Sequence, residues 1–251
     1  MRPVTIRDVC FGIGMPKIAV PLVGRDLAVL EEELKLLDER PFDLIEWRLD
    51  HFEGIESQEE RRKALDVIRY YQPEAVLLAT FRTIYEGGNK VTDQYENIYI
   101  DLIKTEQIDM IDVELFLGDE LFKELLTFAH HHDVKVVASN HDFSKTPDKK
   151  EIMARFKKMS ELKADFLKIA LMPQTFDDVL TLLSATYKAS QRFDQPIISM
   201  SMSKLGIISR VCGQVTGSCI TFGSLKEASA PGQMNSAQLK EILFLLDRAN
   251  Q

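Results

Sequence analysis

The chain has 251 residues, and its 31 basic and 39 acidic side chains give a formal charge of −8. With 45% hydrophobic and 28% charged residues and only 12 glycines and 9 prolines, the composition excludes a disordered or collagen-like chain. The acidic balance argues against nucleic acid or an anionic membrane as a partner, because such surfaces are bound through clustered lysine and arginine. It does not exclude a small anionic ligand.

The cysteines and the uncharged stretches bear on where the protein works. Cys10, Cys212 and Cys219 form neither an even set nor a C-x-x-C pair, which argues against a disulfide framework or a zinc site. Asp8 interrupts any early apolar run long enough for a secretion signal. The longest uncharged stretch, residues 211–225, is shorter than the roughly 20 residues that cross a bilayer. We therefore expect a cytoplasmic protein without a membrane span.

Short apolar runs alternate with amphipathic stretches from about residue 17 to the end of the chain. Strands are predicted over residues 17–23, 43–49, 75–82, 109–115, 134–141, 165–170, 196–202 and 218–223. Helices are predicted over residues 27–39, 64–70, 94–105, 119–132, 147–162, 175–191 and 236–248. This repetition is typical of an α/β fold, and we predict a single (β/α)8 TIM barrel that occupies the whole chain. A doubly wound open sheet is the competing arrangement.

The first 16 residues fall outside the repeat. We expect this N-terminal extension to form a short β-hairpin that closes the bottom of the barrel.

Polar side chains recur on one face of consecutive predicted strands. Glu46, Arg48 and Asp50 share a face, since successive side chains of a strand point to opposite sides. For that strand alone, an edge position with one wet face would explain them. The pattern continues in the next four strands, at Thr80, Arg82, Asp112, Glu114, Ser139, His141 and Lys168. The carboxyl ends of barrel strands build active sites, so this pattern predicts a ligand pocket.

Two of these residues suggest a specific chemistry. Lys168 shares its strand face with Phe166 and Ala170, which points the amine inward among apolar neighbours rather than out to water. Loss of hydration favours the neutral amine, which attacks a carbonyl to form a Schiff base. His141 ends the neighbouring strand, and its imidazole can move protons at neutral pH.

A loop acid is a further candidate for this site, whereas the other histidines are not. Glu86 lies in a loop next to Gly87 and Gly88, and it would orient His141 if the two side chains meet. The remaining histidines are interpreted as solvated or packing residues: His51, His130, His131 and His132.

Guanidinium groups and a late loop complete the candidate site. Arg48, Arg82 and Arg210 lie on the presumed open face, where arginine matches carboxylates and hydroxyls with fixed donors. The segment S-A-P-G-Q after the last predicted strand is either a surface turn or a lid that lays Ser229 and Gln233 over the ligand.

Six groups of residues form specific motifs in order along the chain. They are E-W-R-L-D-H at 46–51; T-F-R at 80–82 with E-G-G at 86–88; I-D-V-E at 111–114 with S-N-H-D at 139–142; K-I-A-L-M-P-Q at 168–174; S-M-S-M at 199–202 with S-R at 209–210; and S-A-P-G-Q at 229–233. Together they resemble the type I 3-dehydroquinate dehydratases, from residue 17 through the final helix. The chain departs from some members of that family at Pro21, where they carry serine.

The resemblance implies a homodimeric (β/α)8 barrel that dehydrates 3-dehydroquinate to 3-dehydroshikimate in the shikimate pathway, without metal or organic cofactor. By this resemblance Lys168 forms an imine with the C3 ketone, His141 removes the C2 proton and helps the C1 hydroxyl leave in a syn elimination, and Glu86 tunes His141. The matching substrate positions are Arg210, Ser229 and Gln233 for the carboxylate, Glu46, Arg48 and Arg82 for the ring hydroxyls, and Ala170, Met200, Met202 and Phe222 for an apolar wall around the imine.

Two other functions stay open from the sequence. A class I aldolase also uses a Schiff-base lysine in a barrel, but it often needs a phosphate site after strands seven and eight. A non-catalytic barrel that binds a small acid is the second, and it gives no reason for an inward lysine beside a histidine. Asp112 and Glu114 could seat a divalent metal, but no converging ligand set is visible, so we expect no metal and interpret both as partners of the pocket arginines.

Overall fold

The computed structural model describes residues 1–225 and 234–249. Its central feature is a ring of eight parallel strands, β3 to β10. The strands in chain order are β1 (Val4–Ile6), β2 (Val9–Phe11), β3 (Lys17–Leu22), β4 (Leu44–Arg48), β5 (Val76–Thr80), β6 (Met110–Glu114), β7 (Lys135–Asp142), β8 (Phe166–Leu171), β9 (Ile197–Ser201), β10 (Ile220–Ser224) and β11 (Met234–Asn235). The eight predicted strands are confirmed, and each end lies within two residues of its predicted position.

The ring closes between its last two strands. Strands β3 to β9 pair in parallel in chain order, and β10 pairs with the free side of β3. Ile197 and Ser218 form a parallel bridge across the remaining gap, and the Cys219 N–H donates to the Ile197 carbonyl at 2.8 Å. An open sheet would leave both edges unpaired, so this closure selects the (β/α)8 barrel.

Helices cover the outside of the barrel. They are α1 (Leu27–Leu37), α2 (Gln58–Tyr71), α3 (Tyr95–Ile103), α4 (Asp119–His131), α5 (Lys149–Glu161), α6 (Phe176–Arg192), α7 (Ile208–Val211), α8 (Gly213–Thr216) and α9 (Ser236–Ala249). Side-chain caps fix several starts: Asp26 accepts from the Val29 N–H at 2.9 Å, and Thr175 and Asp178 form a capping box at α6. None of the described helices is long and apolar enough to cross a bilayer.

Apolar side chains form separate cores on the two sides of the barrel wall. The outer core lies between strands and helices and includes the fully buried Trp47 and Tyr99. The inner core fills the bottom of the barrel, where Phe11 of the N-terminal hairpin packs edge-on against Phe166 with ring centroids 5.4 Å apart. The hairpin therefore closes the bottom, as predicted, and the opposite end is left for polar side chains.

Candidate active site

A cavity of about 420 Å³ opens at the carboxyl end of the barrel strands. Its lining includes eleven of the predicted site residues: Glu46, Arg48, Arg82, Glu86, His141, Lys168, Ala170, Met200, Met202, Arg210 and Phe222. The two others, Ser229 and Gln233, lie outside the described residues. Pro21 and Thr80 also line the cavity, so seven strands and one short helix contribute side chains to one chamber.

Lys168 lies at the centre of β8 with its side chain buried. Its Nζ donates to Asp112 Oδ2 at 2.8 Å and to Glu46 Oε1 at 3.4 Å. Nζ also lies 4.9 Å from the centroid of the Phe222 ring. The expected apolar surroundings are therefore wrong for the amine itself, because two carboxylates reach it from β4 and β6.

Asp112, from β6, is fully buried beneath that amine. It also accepts from Arg82 Nη2 at 2.7 Å and from the Ser139 hydroxyl at 2.5 Å. Burial alone would raise the pKa of Asp112, but the adjacent Arg82 and Lys168 cations hold that pKa well below its usual range. Asp112 therefore keeps a negative charge against the lysine at any physiological pH.

Arg82, just beyond the end of β5, links the acids of the cavity floor. Its Nη1 donates to Glu114 at 2.9 Å and to Ser139 at 3.1 Å. Burial opposes the charge, but Asp112 and Glu114 raise the pKa of Arg82 above its already high ordinary value. This confirms that both acids pair with a pocket arginine. Within the described ranges no group of three or more His, Cys, Asp or Glu side chains is arranged to hold a metal ion.

Glu86 meets His141 at the rim of the cavity. The His141 backbone N–H donates to Glu86 Oε2 at 2.8 Å, and His141 Nδ1 lies 2.9 Å from the same oxygen. Burial raises the pKa of Glu86 to about 7, and burial together with the Arg82 and Lys168 cations lowers the pKa of His141 well below its usual value. With Glu86 ionised, Nδ1 carries the proton and Nε2 is left as a neutral base.

Arg48 and His51 form a second polar group at the cavity wall. Arg48 donates to Asp50 from Nε at 2.9 Å and from Nη2 at 2.8 Å, and Asp50 is fully buried. His51 lines the cavity with Nε2 2.9 Å from Asn89 Nδ2. The sequence interpretation did not place His51 in the cavity wall, and its role as a solvated or packing residue stays a prediction. Its position directly after the polar face of Glu46, Arg48 and Asp50 was the available signal.

Arg210, on the short helix α7, differs from the other cavity arginines. It is buried, yet its guanidinium has no ion pair with any described residue, and its Nε has no hydrogen-bond partner among them. Burial lowers the pKa of Arg210 without a described carboxylate to offset it. A buried cation in this state favours an anionic ligand, because pairing restores the interaction that it lost with water.

These features are those of a (β/α)8-barrel enzyme that works through a lysine imine. The model of the family "Type I 3-dehydroquinase" matches residues 18–250. A 3-dehydroquinate dehydratase of Escherichia coli O9:H4 (strain HS) is 47% identical over 252 residues, which cover 99% of this chain and 100% of that protein. The chain therefore belongs to the type I 3-dehydroquinase family.

Solved structures agree with this assignment. A crystal structure of type I 3-dehydroquinate dehydratase from Clostridium difficile, with covalently modified comenic acid, superposes with a TM-score of 0.97 at 45% identity and covers 99% of both chains. The 3-dehydroquinate dehydratase from Enterococcus faecalis gives 0.90 at 38% identity, covering 97% of this chain and 99% of its own. The fold and the family are thus shared over essentially the whole length.

Proposed function

We propose that this chain is a lyase that dehydrates 3-dehydroquinate to 3-dehydroshikimate through an imine on Lys168, as a step of the shikimate pathway. Membership of the type I 3-dehydroquinase family supports this activity. The observation that carries the proposal is the pairing of Lys168 with the buried, ionised Asp112 in the same cavity as His141. These groups match the two needs of the reaction, an electron sink and a base.

The first stage forms the imine. Lys168 loses a proton, its nitrogen attacks the C3 ketone, and the resulting carbinolamine loses water to give a protonated imine. The protonated imine carries the same single positive charge as the ammonium it replaces. Asp112, at 2.8 Å from Nζ, therefore stabilises both and keeps the imine protonated. That charge withdraws electrons and acidifies the C2 hydrogen.

The second stage eliminates water. His141 takes the C2 proton at Nε2, and the electron pair of the C–H bond moves through C2–C3 onto the imine nitrogen to form an enamine. The enamine then expels the C1 hydroxyl, which leaves as water with the proton that His141 returns. A second water hydrolyses the conjugated imine, releasing 3-dehydroshikimate and regenerating Lys168. Glu86 supports this cycle by holding the His141 ring in the Nδ1–H form.

Substrate recognition is assigned by the donors that remain unused. Arg210 has no described ion pair, so we assign it to the substrate carboxylate, with Ser229 and Gln233 as its proposed companions. Arg48 and Arg82 each donate some of their guanidinium N–H groups to buried acids. We assign their remaining N–H groups, together with the Glu46 carboxylate, to the ring hydroxyls of the substrate. Ala170, Met200, Met202 and Phe222 form the proposed apolar wall around the imine.

We also propose that the whole chain acts as one catalytic domain, in a homodimer in the cytoplasm. The three cysteines are free, which fits a reducing compartment. Light scattering after size-exclusion chromatography tests the dimer, and a monomer mass would contradict it.

Borohydride trapping tests the imine. Purified protein is mixed with 3-dehydroquinate and sodium borohydride, and the modified peptide is located by mass spectrometry. We expect an adduct on Lys168 and none in Lys168→Met. The matched control is Lys135→Met, because Lys135 begins β7 at the opposite end of the barrel and should trap normally. An active protein that yields no adduct would exclude imine chemistry.

The mass of the adduct separates the steps. His141→Ala should trap the undehydrated substrate, because imine formation needs Lys168 while elimination needs the base. A class I aldolase would instead yield an adduct that lacks the carbon atoms released by C–C cleavage. Equal loss of trapping and turnover in His141→Ala would assign the histidine to binding or folding.

A further inference from the structure

We propose that Arg155 and Asn140 are positioning residues that hold Glu86 as an ionised acceptor for His141. This inference rests on the proposed function, because it gives a task to residues behind the base of that reaction. Neither residue lines the cavity: Arg155 projects from helix α5, and Asn140 lies next to His141 on β7. They would act through Glu86, without touching substrate.

The Asn140 side chain is buried, and both ends of its amide make hydrogen bonds. Its Oδ1 accepts from Arg155 Nη1 at 2.7 Å, and its Nδ2 donates to Glu86 Oε1 at 2.9 Å. An arginine can only donate hydrogen bonds, so the oxygen of the amide must face Arg155. The nitrogen must then face Glu86. Arg155 thereby orients the Asn140 amide so that its Nδ2 donor, and not its carbonyl oxygen, faces Glu86.

Arg155 is itself held in place. Its Nη2 pairs with Glu151 one turn earlier on α5 and lies 3.6 Å from Asp142, and its guanidinium lies 5.9 Å from the centroid of the Phe116 ring. Its side chain is 11% exposed. Several contacts thus fix the position of one donor, Nη1, against the Asn140 carbonyl.

The orientation of the Asn140 amide affects His141 through the hydrogen bonds of Glu86. Glu86 Oε1 takes the Asn140 donor, while Oε2 takes both donors of His141. Each donor favours the ionised carboxylate over the neutral acid, as does Arg82, whose Nη1 lies 3.5 Å from Oε2, whereas burial and the Glu114 charge favour the neutral acid. If Arg155 were absent, the amide could rotate and present its oxygen to Glu86. Glu86 would then hold a proton more readily, and Nδ1 of His141 would lose its acceptor.

The test compares Arg155→Met with Lys158→Met in the full-length protein. Lys158 lies on the same helix and also lies near the Phe116 ring, at 5.6 Å, but it pairs with Asp119 at 2.7 Å instead of reaching Asn140. For Arg155→Met we expect kcat at pH 7 to fall about 2- to 10-fold, the range of one hydrogen bond, with KM unchanged. The acid limb of the pH profile should move to higher pH. Lys158→Met should match the wild type, and Arg155→Lys should recover part of the loss.

Asn140→Asp provides a second variant that keeps the acceptor for Arg155. It replaces the Nδ2 donor with a carboxylate oxygen that repels Glu86, so its acid limb should move further than that of Arg155→Met. This variant carries the test if Arg155→Met unfolds, which thermal melting would show. A folded Arg155→Met or Asn140→Asp with the wild-type pH profile would overturn the proposal.

A readout without turnover separates this inference from the proposed function. Nitrogen-15 NMR of the His141 ring reports which nitrogen carries the proton. We expect Nδ1–H in the wild type and in Lys158→Met at pH 8, with loss of that form in Arg155→Met and Asn140→Asp. A wild type that shows this pattern but does not dehydrate 3-dehydroquinate would refute the function and leave the positioning intact. An unchanged tautomer in both variants would refute the positioning alone.

Discussion

Glu86 Oε2 accepts from both the backbone N–H and the ring Nδ1 of His141, at 2.8 and 2.9 Å. One oxygen therefore ties the imidazole to its own main chain, which fixes the rotation of the ring and directs Nε2 away from Glu86. Placement of the base thus depends on the ionisation of one carboxyl group. Because burial raises the pKa of Glu86 to about 7, this dependence falls within the physiological range.

The first prediction concerns pH. Below about 7 Glu86 takes up a proton, loses its negative charge as an acceptor, and no longer holds His141 in the Nδ1–H form. We expect kcat/KM to fall as the pH is lowered through this value and to level off above it. Glu86→Gln should lower kcat/KM at pH 8 by about 10- to 100-fold, the range of a charge-assisted hydrogen bond, and should remove this acid limb. An identical limb in Glu86→Gln would assign it to another group.

The second prediction separates stability from binding at Arg210. Because Arg210 is a buried cation without a described ion pair, Arg210→Met should leave the free energy of unfolding unchanged or raise it. The same change should raise KM by about 10- to 100-fold, since the substrate carboxylate loses a charged donor. Urea denaturation and steady-state kinetics measure the two effects. A clear loss of stability would show that Arg210 has an essential partner in the folded chain.

The third prediction concerns Asp112, which joins the Lys168 and Arg82 cations. Asp112→Asn leaves both cations short of a negative charge in a buried site, and we expect the free energy of unfolding to fall by about 3–5 kcal/mol. The control is Glu161→Gln, which removes an exposed helix pair with Lys157 and should change stability little. Urea denaturation measures both variants. If Asp112→Asn and Glu161→Gln change the free energy of unfolding equally, the buried charge network is contradicted.

The fourth prediction concerns Gly87, which follows Glu86 with φ of +84°. A Cβ there would stand 2.3 Å from the Phe143 ring. Gly87→Ala should therefore cost about 1–2 kcal/mol for the left-handed backbone, plus the clash, and should lower kcat by displacing Glu86. Gly14→Ala isolates the backbone contribution, because Gly14 has φ of +68° and nothing within 4 Å of the added carbon. Adding Phe143→Ala to Gly87→Ala should restore only the part of the stability that the clash removes. If no stability is restored, the Phe143 ring moves aside in Gly87→Ala.

The sequence predicts the barrel well because each strand is an apolar run with period two, bounded by turns. It did not predict α7 and α8, since four residues are too few for helical periodicity to appear. These two short helices are where Arg210 and its immediate surroundings lie. The strand pattern thus predicted that an arginine follows β9, but not which structure holds it.

Within the site, the sequence predicts which residues face the cavity but not how their charges pair. Asp112 meets Arg82 and Lys168 across separations of 30 and 56 residues, and only the barrel register brings them together. Apolar neighbours along β8 therefore gave the wrong environment for the amine. The position of His51 in the cavity wall was not predicted for the same reason, because its contact Asn89 comes from a loop 38 residues away.

The way α7 is attached has a consequence for how such a barrel diversifies. Ser209 holds this helix by accepting from the Ser201 N–H at 2.9 Å and donating to the Gly206 carbonyl at 2.7 Å, and the Thr221 hydroxyl of β10 donates to the Arg210 carbonyl at 2.8 Å, so α7 is fastened to β9 and β10. The amine, its counter-charge and the base are fastened instead to β6, β7 and β8. The arginine proposed to bind the substrate carboxylate and the proposed imine machinery are therefore fastened to different strands of the barrel. We expect changes in α7 to alter which carbonyl compound the barrel binds more than they alter imine formation on Lys168.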